Sequence, residues 1–230
     1  MITAERQALL AQNPLLPALP LSETYMMDCI AGMKEYPDKW FDLAVVDPPY
    51  GIDLANMNMG VGKSKKASKI KNRKWVAKDW DMSVPQMEYF IELFRVSKNQ
   101  IIWGGNYFEL PPCKNYIIWD KEIPNGLSFA DCEMAWTSFN NAPKMFRYSA
   151  YLDKQSKFHP TQKPVKLYDW IFSKYGKDVS KVLDTHLGSG SSRIAAHKNK
   201  LNFVGFEIDK EYFDKQEKRF ANYVCQPRLF

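Results

Sequence analysis

Five short apolar runs, each ending in a loop and separated by stretches of helical periodicity, constrain this chain more than any other feature. They are Asp42-Leu-Ala-Val-Val46, Gln100-Ile-Ile-Trp103, Tyr116-Ile-Ile-Trp119, Lys181-Val-Leu183 and Asn202-Phe-Val-Gly-Phe206. Their hydrophobicity is continuous rather than alternating, which marks strands covered on both faces, as in a parallel sheet. Between the runs, Met87, Phe90, Ile91 and Phe94 recur at i, i+3, i+4, i+7 and predict a helix with one buried face. Ser83 with Gln86 forms a capping-box pattern ahead of it, and Pro85 suits a first turn. Val165, Tyr168, Ile171, Phe172 and Tyr175 make a second stripe behind Pro164, a third helix is expected near Ser191, and a fourth from Lys210 to Tyr223. Strands alternating with helices predict an α/β fold with a mostly parallel central sheet and helices on both faces.

At 230 residues the chain suits one domain. Residues 1–24, with Pro14, Pro17 and Pro20, read as an N-terminal arm, and 25–230 as the domain proper. Residues from about 106 to 158 are rich in Pro, Asn and aromatics and fit the alternation poorly. They are expected to form an insertion of irregular or hairpin structure. Cys29, Cys113, Cys132 and Cys225 lie far apart without C-x-x-C or paired histidines, so neither a zinc site nor a disulfide framework is expected. No apolar stretch reaches the length of a membrane span, and the simplest setting is the reducing cytoplasm.

Charge is informative through its placement. Lys63, Lys65, Lys66, Lys69, Lys71, Arg73, Lys74 and Lys78 fall within 61–78 with no acidic residue among them. The chain as a whole is +6, so the remainder carries a net −2. A near-neutral globule with one basic loop, about 54–80 and punctuated by Trp75 and Trp80, suits contact with phosphates, although a solvated loop has the same composition. Gly60-Val-Gly-Lys-Ser64 imitates the end of a phosphate-binding loop, but its first glycine is replaced by Met57 and no strand precedes it.

The segment Val182 to Ser192 runs from a strand through a glycine-rich turn into a helix. Gly188 and Gly190 permit a tight turn, and the following helix N-terminus favours an anionic group. Glu207 ends the next strand, 23 residues after Asp184, where nucleotide-binding folds hold ribose hydroxyls. Arg193 stands in place of the third glycine of a dinucleotide fingerprint, which disfavours NAD. Asp184 before the turn suits a cationic amine. S-Adenosylmethionine, with its amine, carboxylate and ribose, matches these charges better. On the other half of the chain, Asp47-Pro-Pro-Tyr50 follows directly on a buried strand. Asp47 supplies an acceptor, Pro48 and Pro49 lack N–H donors, and Tyr50 adds a stacking ring.

These pieces resemble the amino-methyltransferase family that acts on DNA, in its permuted branch, where the catalytic segment precedes the cofactor segment. The resemblance rests on Met27-Asp-Cys-Ile30, Asp42 to Tyr50, Ile102-Trp-Gly-Gly-Asn-Tyr-Phe108, Ile118-Trp-Asp-Lys121, His159-Pro-Thr-Gln-Lys-Pro164, Asp184 to Ser192 and Phe203-Val-Gly-Phe-Glu207. It implies a Rossmann-like S-adenosylmethionine-dependent methyltransferase fold and transfer of a methyl group to N6 of a flipped-out adenine in double-stranded DNA.

By resemblance, Asp47, Pro48, Pro49 and Tyr50 hold the target base, and Asp28 reaches the cofactor adenine. Asp184, Gly188, Ser189, Gly190 and Ser191 hold the methionine part and Glu207 the ribose, with Asp47, Lys163 and His186 at the cofactor's edge. Lys63, Lys65, Lys66, Lys69, Lys71, Arg73 and Lys74 are expected on DNA phosphates, base reading is expected from about 106–158, and a cognate restriction endonuclease is a candidate partner. The chain departs from the family at Thr185-His186, where Pro-Phe is usual, and at Ser191-Ser192, where Thr-Thr is usual. N4-cytosine methylation uses the same acceptors, but Asp47 rather than serine leans to adenine. RNA or protein-glutamine methylation, an inactive DNA-binding protein on the same fold, and an NAD-linked oxidoreductase fit the motifs less well.

Overall fold

The computed structural model describes residues 21–51, 84–123, 130–149, 152 and 157–226. Eight strands form one sheet: β1 (Ser22–Met26), β2 (Phe41–Val46), β3 (Ser97–Trp103), β4 (Tyr116–Asp120), β5 (Cys132–Thr137), β6 (Lys144–Arg147), β7 (Lys181–Asp184) and β8 (Asn202–Glu207). Their order is β1-β8-β7-β2-β3-β5-β4-β6. All pairings are parallel except those of β5, which runs against both β3 and β4. Among the described residues five α-helices flank the sheet: α1 (Cys29–Lys34), α2 (Met87–Val96), α3 (Val165–Tyr175), α4 (Ser191–Lys198) and α5 (Lys210–Cys225).

Alternation along β2 divides the interior into two cores. Leu43 and Val45 face one core with Ile101, Trp103 and Ile117, closed by Leu167, Ile171 and Phe172 of α3 and Ala195 and Ala196 of α4. Ala44 and Val46 face the other with Ile102 and Phe206, closed by Met33 of α1 and Tyr89, Phe90 and Leu93 of α2. Both faces of β2 are therefore dry beyond Asp42, and this is why Leu43–Val46 is apolar without a break. At the opposite end of β2 from Pro48, Asp42 joins three strands. Its Oδ2 accepts from the Ser180 and Lys181 N–H groups and its Oδ1 meets Lys98 Nζ at 2.7 Å.

The structure corrects several expectations. Residues 22–24, assigned to the arm, already belong to β1. Within 106–158 the described residues include β4 and β5, paired antiparallel as a hairpin would be, but with β6 they extend the central sheet, and Ile117, Trp119, Ala135 and Trp136 are core residues. The run at Tyr116 pairs antiparallel with β5 on one side and parallel with β6 on the other. In α2 the buried face is Tyr89, Phe90, Leu93 and Val96, while Met87 and Ile91 are exposed, because the sheet meets a stripe rotated from the predicted one. Gln86 is the N-cap of α2 and its side chain makes no capping bond, and Ser83 lies outside the described residues. Among the described residues no helix is long and apolar enough to cross a membrane.

Candidate active site

The parallel strands deliver their carboxyl ends to one edge of the sheet. From β7 the chain winds outward to β8, and from β2 it winds the other way to β3, so the β7–β2 boundary is a topological switch point. Ligands of open α/β sheets bind in the crevice at such a point. The register pairs Ala44 with Leu183. Asp184 therefore ends β7, and Asp47 leaves β2, on the same side of the boundary. The two carboxylates lie close enough for the charge of Asp47 to act on Asp184.

On the β2 side, Tyr50 Oη donates to Asp47 Oδ1 at 2.6 Å and Lys163 Nζ lies 2.5 Å from Asp47 Oδ2. Lys163 also faces Glu133 Oε2 at 3.0 Å, and Lys121 Nζ meets Glu133 Oε1 at 2.6 Å. The result is a chain of alternating charge, Asp47–Lys163–Glu133–Lys121. Burial pushes Asp47 above the usual carboxylate range against the pull of Lys163. Burial would also raise Glu133, but Lys163 and Lys121 outweigh it and hold it at about 2. Lys163 stays charged: burial would lower it, and the two carboxylates more than offset that. The Tyr50 ring is stacked on Tyr107, with centroids 4.9 Å apart and planes 11° apart. Gly104 has φ +69°, and a Cβ there would stand 2.1 Å from Tyr50 Cε1, so this position needs glycine twice over.

On the β7 side the turn is built as the glycines foretell. Gly188 has φ +48° and Gly190 +69°. Gly188 N–H donates to Glu207 Oε2 at 2.8 Å, and Asp209 N–H donates to Oε1 at 2.8 Å. Arg219 of α5 donates to the Ser189 carbonyl and to Ser191 Oγ, and Ser189 and Ser191 hydroxyls are 3.1 Å apart. Asp184 accepts from Ser192 Oγ at 2.5 Å and from the His186 N–H at 3.1 Å. No cation pairs with it among the described residues, and burial raises it to about 7. Burial also raises Glu207. His186 is pushed down to about 4 by burial, so its ring is neutral at neutral pH. Its Nδ1 lies 2.9 Å from Thr185 Oγ1, which in turn lies 2.6 Å from Tyr89 Oη. Asp28, exposed at the end of β1, caps α1 by accepting the Ala31 N–H at 2.9 Å. The Met27 N–H donates to the Glu207 carbonyl, which places Asp28 beside the end of β8.

Asp28, Asp47, Pro48, Pro49, Tyr50, Lys163, Asp184, His186, the Gly188–Ser191 turn and Glu207 thus share one edge of the sheet. Lys163 is attached to Asp47 and Glu133 rather than to the glycine turn. Lys63, Lys65, Lys66, Lys69, Lys71, Arg73, Lys74, Lys78, Trp75 and Trp80 lie outside the described residues. Sequence reasoning missed Glu133, Lys121, Tyr107, Tyr89 and Arg219. Tyr107 and Lys121 lie in the segments Ile102–Phe108 and Ile118–Lys121 that carry the resemblance but had no role assigned there, and Glu133 stands out only as a lone acid in an otherwise uncharged strand.

The sheet and its switch-point site define the class: a Rossmann-like S-adenosylmethionine-dependent methyltransferase fold. Solved structures that share it include the SAM complex of M1.HpyAVI, 20% identical with TM-score 0.53, covering 86% of this chain and 98% of that one. PvuII DNA methyltransferase, cytosine-N4-specific, is 16% identical with TM-score 0.54, covering 87% of each chain. The sequence profile of the N6_N4_Mtase family, described as DNA methylase, matches residues 55–218, and this chain belongs to that family. Its relatives include the Type II methyltransferases M2.DpnII of Streptococcus pneumoniae, 26% identical over 194 residues, and M2.MboI of Moraxella bovis, 23% identical over 238 residues. The alignments cover 80% of this chain and 66% of M2.DpnII, and 85% of this chain and 86% of M2.MboI.

Proposed function

We propose that this chain transfers a methyl group from S-adenosylmethionine to N6 of an adenine flipped out of double-stranded DNA. The observation that carries the reading is the pair of carboxylates at the switch point: Asp47 anchored as an acceptor, and Asp184 buried beside a glycine turn with no cation paired to it among the described residues. The chemistry of the second group fits the cofactor. Two buried carboxylates, Asp184 and Glu207, flank the turn, and an ammonium and ribose hydroxyls are the groups that would satisfy them. The start of α4 favours a carboxylate, and Asp28 retains an oxygen for an adenine amino group. When bound, S-adenosylmethionine supplies an electrophilic methyl group on a sulfonium.

The residues of the β2 side then act on the base. An adenine amino group is a poor nucleophile because its lone pair is delocalised into the ring. Asp47 and the Pro48 carbonyl accept its two N–H bonds, which favours a pyramidal nitrogen and localises the pair. Lys163 and Tyr50 fix the Asp47 carboxylate, so no reorientation is needed when the amine arrives. Tyr50 stacks the base, which takes the ring face that Tyr107 now covers. Flipping costs a few kcal/mol, recovered from stacking and backbone contacts. Those backbone contacts fall to the basic loop about 54–80. Base reading falls to the region of about 106–158, apart from Ile117, Trp119, Ala135 and Trp136, which are spent on the core.

The fold is shared with a cytosine-N4-specific enzyme, so the choice of adenine rests on Asp47 as the first residue of its motif. The test is to incubate the protein with mixed-sequence DNA and isotopically labelled cofactor, then analyse nucleosides by mass spectrometry. N6-methyladenine is expected, with Asp47→Ala losing at least about 100-fold of the rate while still binding S-adenosylhomocysteine. Labelled N4-methylcytosine, or an Asp47→Ala variant as active as the parent, rejects the reading.

A further inference from the structure

Glu133 belongs to no motif and has no task in the reading above, yet it is the second anion on Lys163. The Lys163 side chain is 2% exposed and is enclosed on two further sides, with the Trp103 ring 5.2 Å and the Tyr50 ring 5.9 Å from its ammonium. Glu133 Oε2 sits 3.0 Å from that ammonium but has no aligned hydrogen bond, although it is buried. The contact therefore acts on Lys163 by charge, in competition with Asp47 for the same ammonium. Lys121, on the far side of Glu133, keeps the chain of four groups neutral overall.

A lysine committed to Asp47 alone would take up the acceptor capacity that the incoming amine needs. A lysine shared with a second carboxylate takes less. Resting on the function proposed above, we infer that Glu133 is a positioning residue for methyl transfer: it shares Lys163 with Asp47, so that Asp47 is oriented by the ammonium without being neutralised by it.

The sign of the effect follows from electrostatics. Glu133 adds negative charge near Asp47 and raises its affinity for a proton, while Lys163 lowers it. Among the described residues the other titratable groups that interact with Asp47 are Tyr50, Tyr168 of α3, Tyr89 of α2 and Asp184 of β7. The three tyrosines are pushed up by burial and stay protonated near neutral pH. With Glu133→Gln, Asp47 faces an undivided ammonium and becomes a weaker acceptor that titrates at lower pH.

The experiment compares the full-length protein with Glu133→Gln and Glu133→Asp. In Glu133→Gln, kcat for DNA methylation is expected to fall about tenfold or more, as when a residue supporting a functional group is removed. KM for DNA and the Kd for S-adenosylhomocysteine are expected to stay within about twofold, and the acid limb of the pH–rate profile to move to lower pH. Glu133→Asp is expected to recover part of the rate. A second readout needs neither cofactor nor DNA: the 13C carboxyl signal of labelled Asp47 in the ligand-free protein titrates at lower pH in Glu133→Gln than in the parent. An unmoved Asp47 titration overturns the inference, and so does a parallel loss of kcat, cofactor binding and thermal stability, which would make Glu133 a structural residue. If the parent methylates no DNA, the proposed function fails, and the 13C titration still decides the role of Glu133.

Discussion

Asp184 is a buried carboxyl group with no paired cation among the described residues, and its titration follows from that burial. An unfolded aspartate titrates near 3.9, whereas burial holds Asp184 at about 7. Between these values the folded protein keeps a proton that the unfolded chain has lost, so this residue makes the ligand-free protein less stable as pH rises from about 4 to about 7. A bound ammonium reverses the preference by favouring the ionised form. Calorimetric titration with S-adenosylhomocysteine from pH 5.5 to 8 should therefore show affinity rising with pH, by at most about tenfold per unit, and levelling off above 7. Asp184→Asn should flatten the profile and weaken binding at pH 8. A flat profile in the parent protein would remove Asp184 from the cofactor's amine.

Among the elements, legibility in the sequence followed the density of buried apolar side chains, and β4, with Ile117 and Trp119 in the core, was readable as a run although it is not buried along both faces. β2, β3, β7 and β8 are covered on both sides, and each was readable as an apolar run. β1 (Ser-Glu-Thr-Tyr-Met) and β6 (Lys-Met-Phe-Arg) lie at the sheet edges and carry polar side chains, so no run marks them. β5 hides for another reason: it brings Glu133 into the site, and one carboxylate breaks its pattern.

The start of α4 shows how one residue can serve two arguments. Arg193 argued against a dinucleotide because it is not glycine. In the structure it ties three elements together. Its Nε donates to Ser22 Oγ of β1 at 2.9 Å, and its Nη1 donates to Gln216 and Glu217 of α5 at 2.9 and 2.8 Å. Its guanidinium also lies 3.9 Å from the centre of the Phe220 ring. Arg193→Ala should cost about 1–3 kcal/mol of stability in denaturant unfolding, toward the lower end because Glu217 is 40% exposed and can be rehydrated. S-Adenosylhomocysteine affinity should stay within about twofold. A loss of affinity without loss of stability would mean that Arg193 faces the ligand.

For the molecule as a whole, the motifs located both halves of the site but not the wiring between them. Asp47 and Asp184 were each recognisable from a strand that ends in a special turn. Their meeting follows from strand order, because β7 returns to lie beside β2 and both strands end at the same edge. The Asp47–Lys163–Glu133–Lys121 chain had no comparable signature, since its members come from four separate segments and no fixed spacing joins them. The central claim is that these two ends make one reaction chamber. A crystal structure of the complex with S-adenosylhomocysteine tests it most directly. The account predicts the amine of the ligand at Asp184, its ribose at Glu207 and its sulfur turned toward Asp47 and the Pro48 carbonyl. A ligand seated elsewhere, or a sulfur facing away from Asp47, would contradict it.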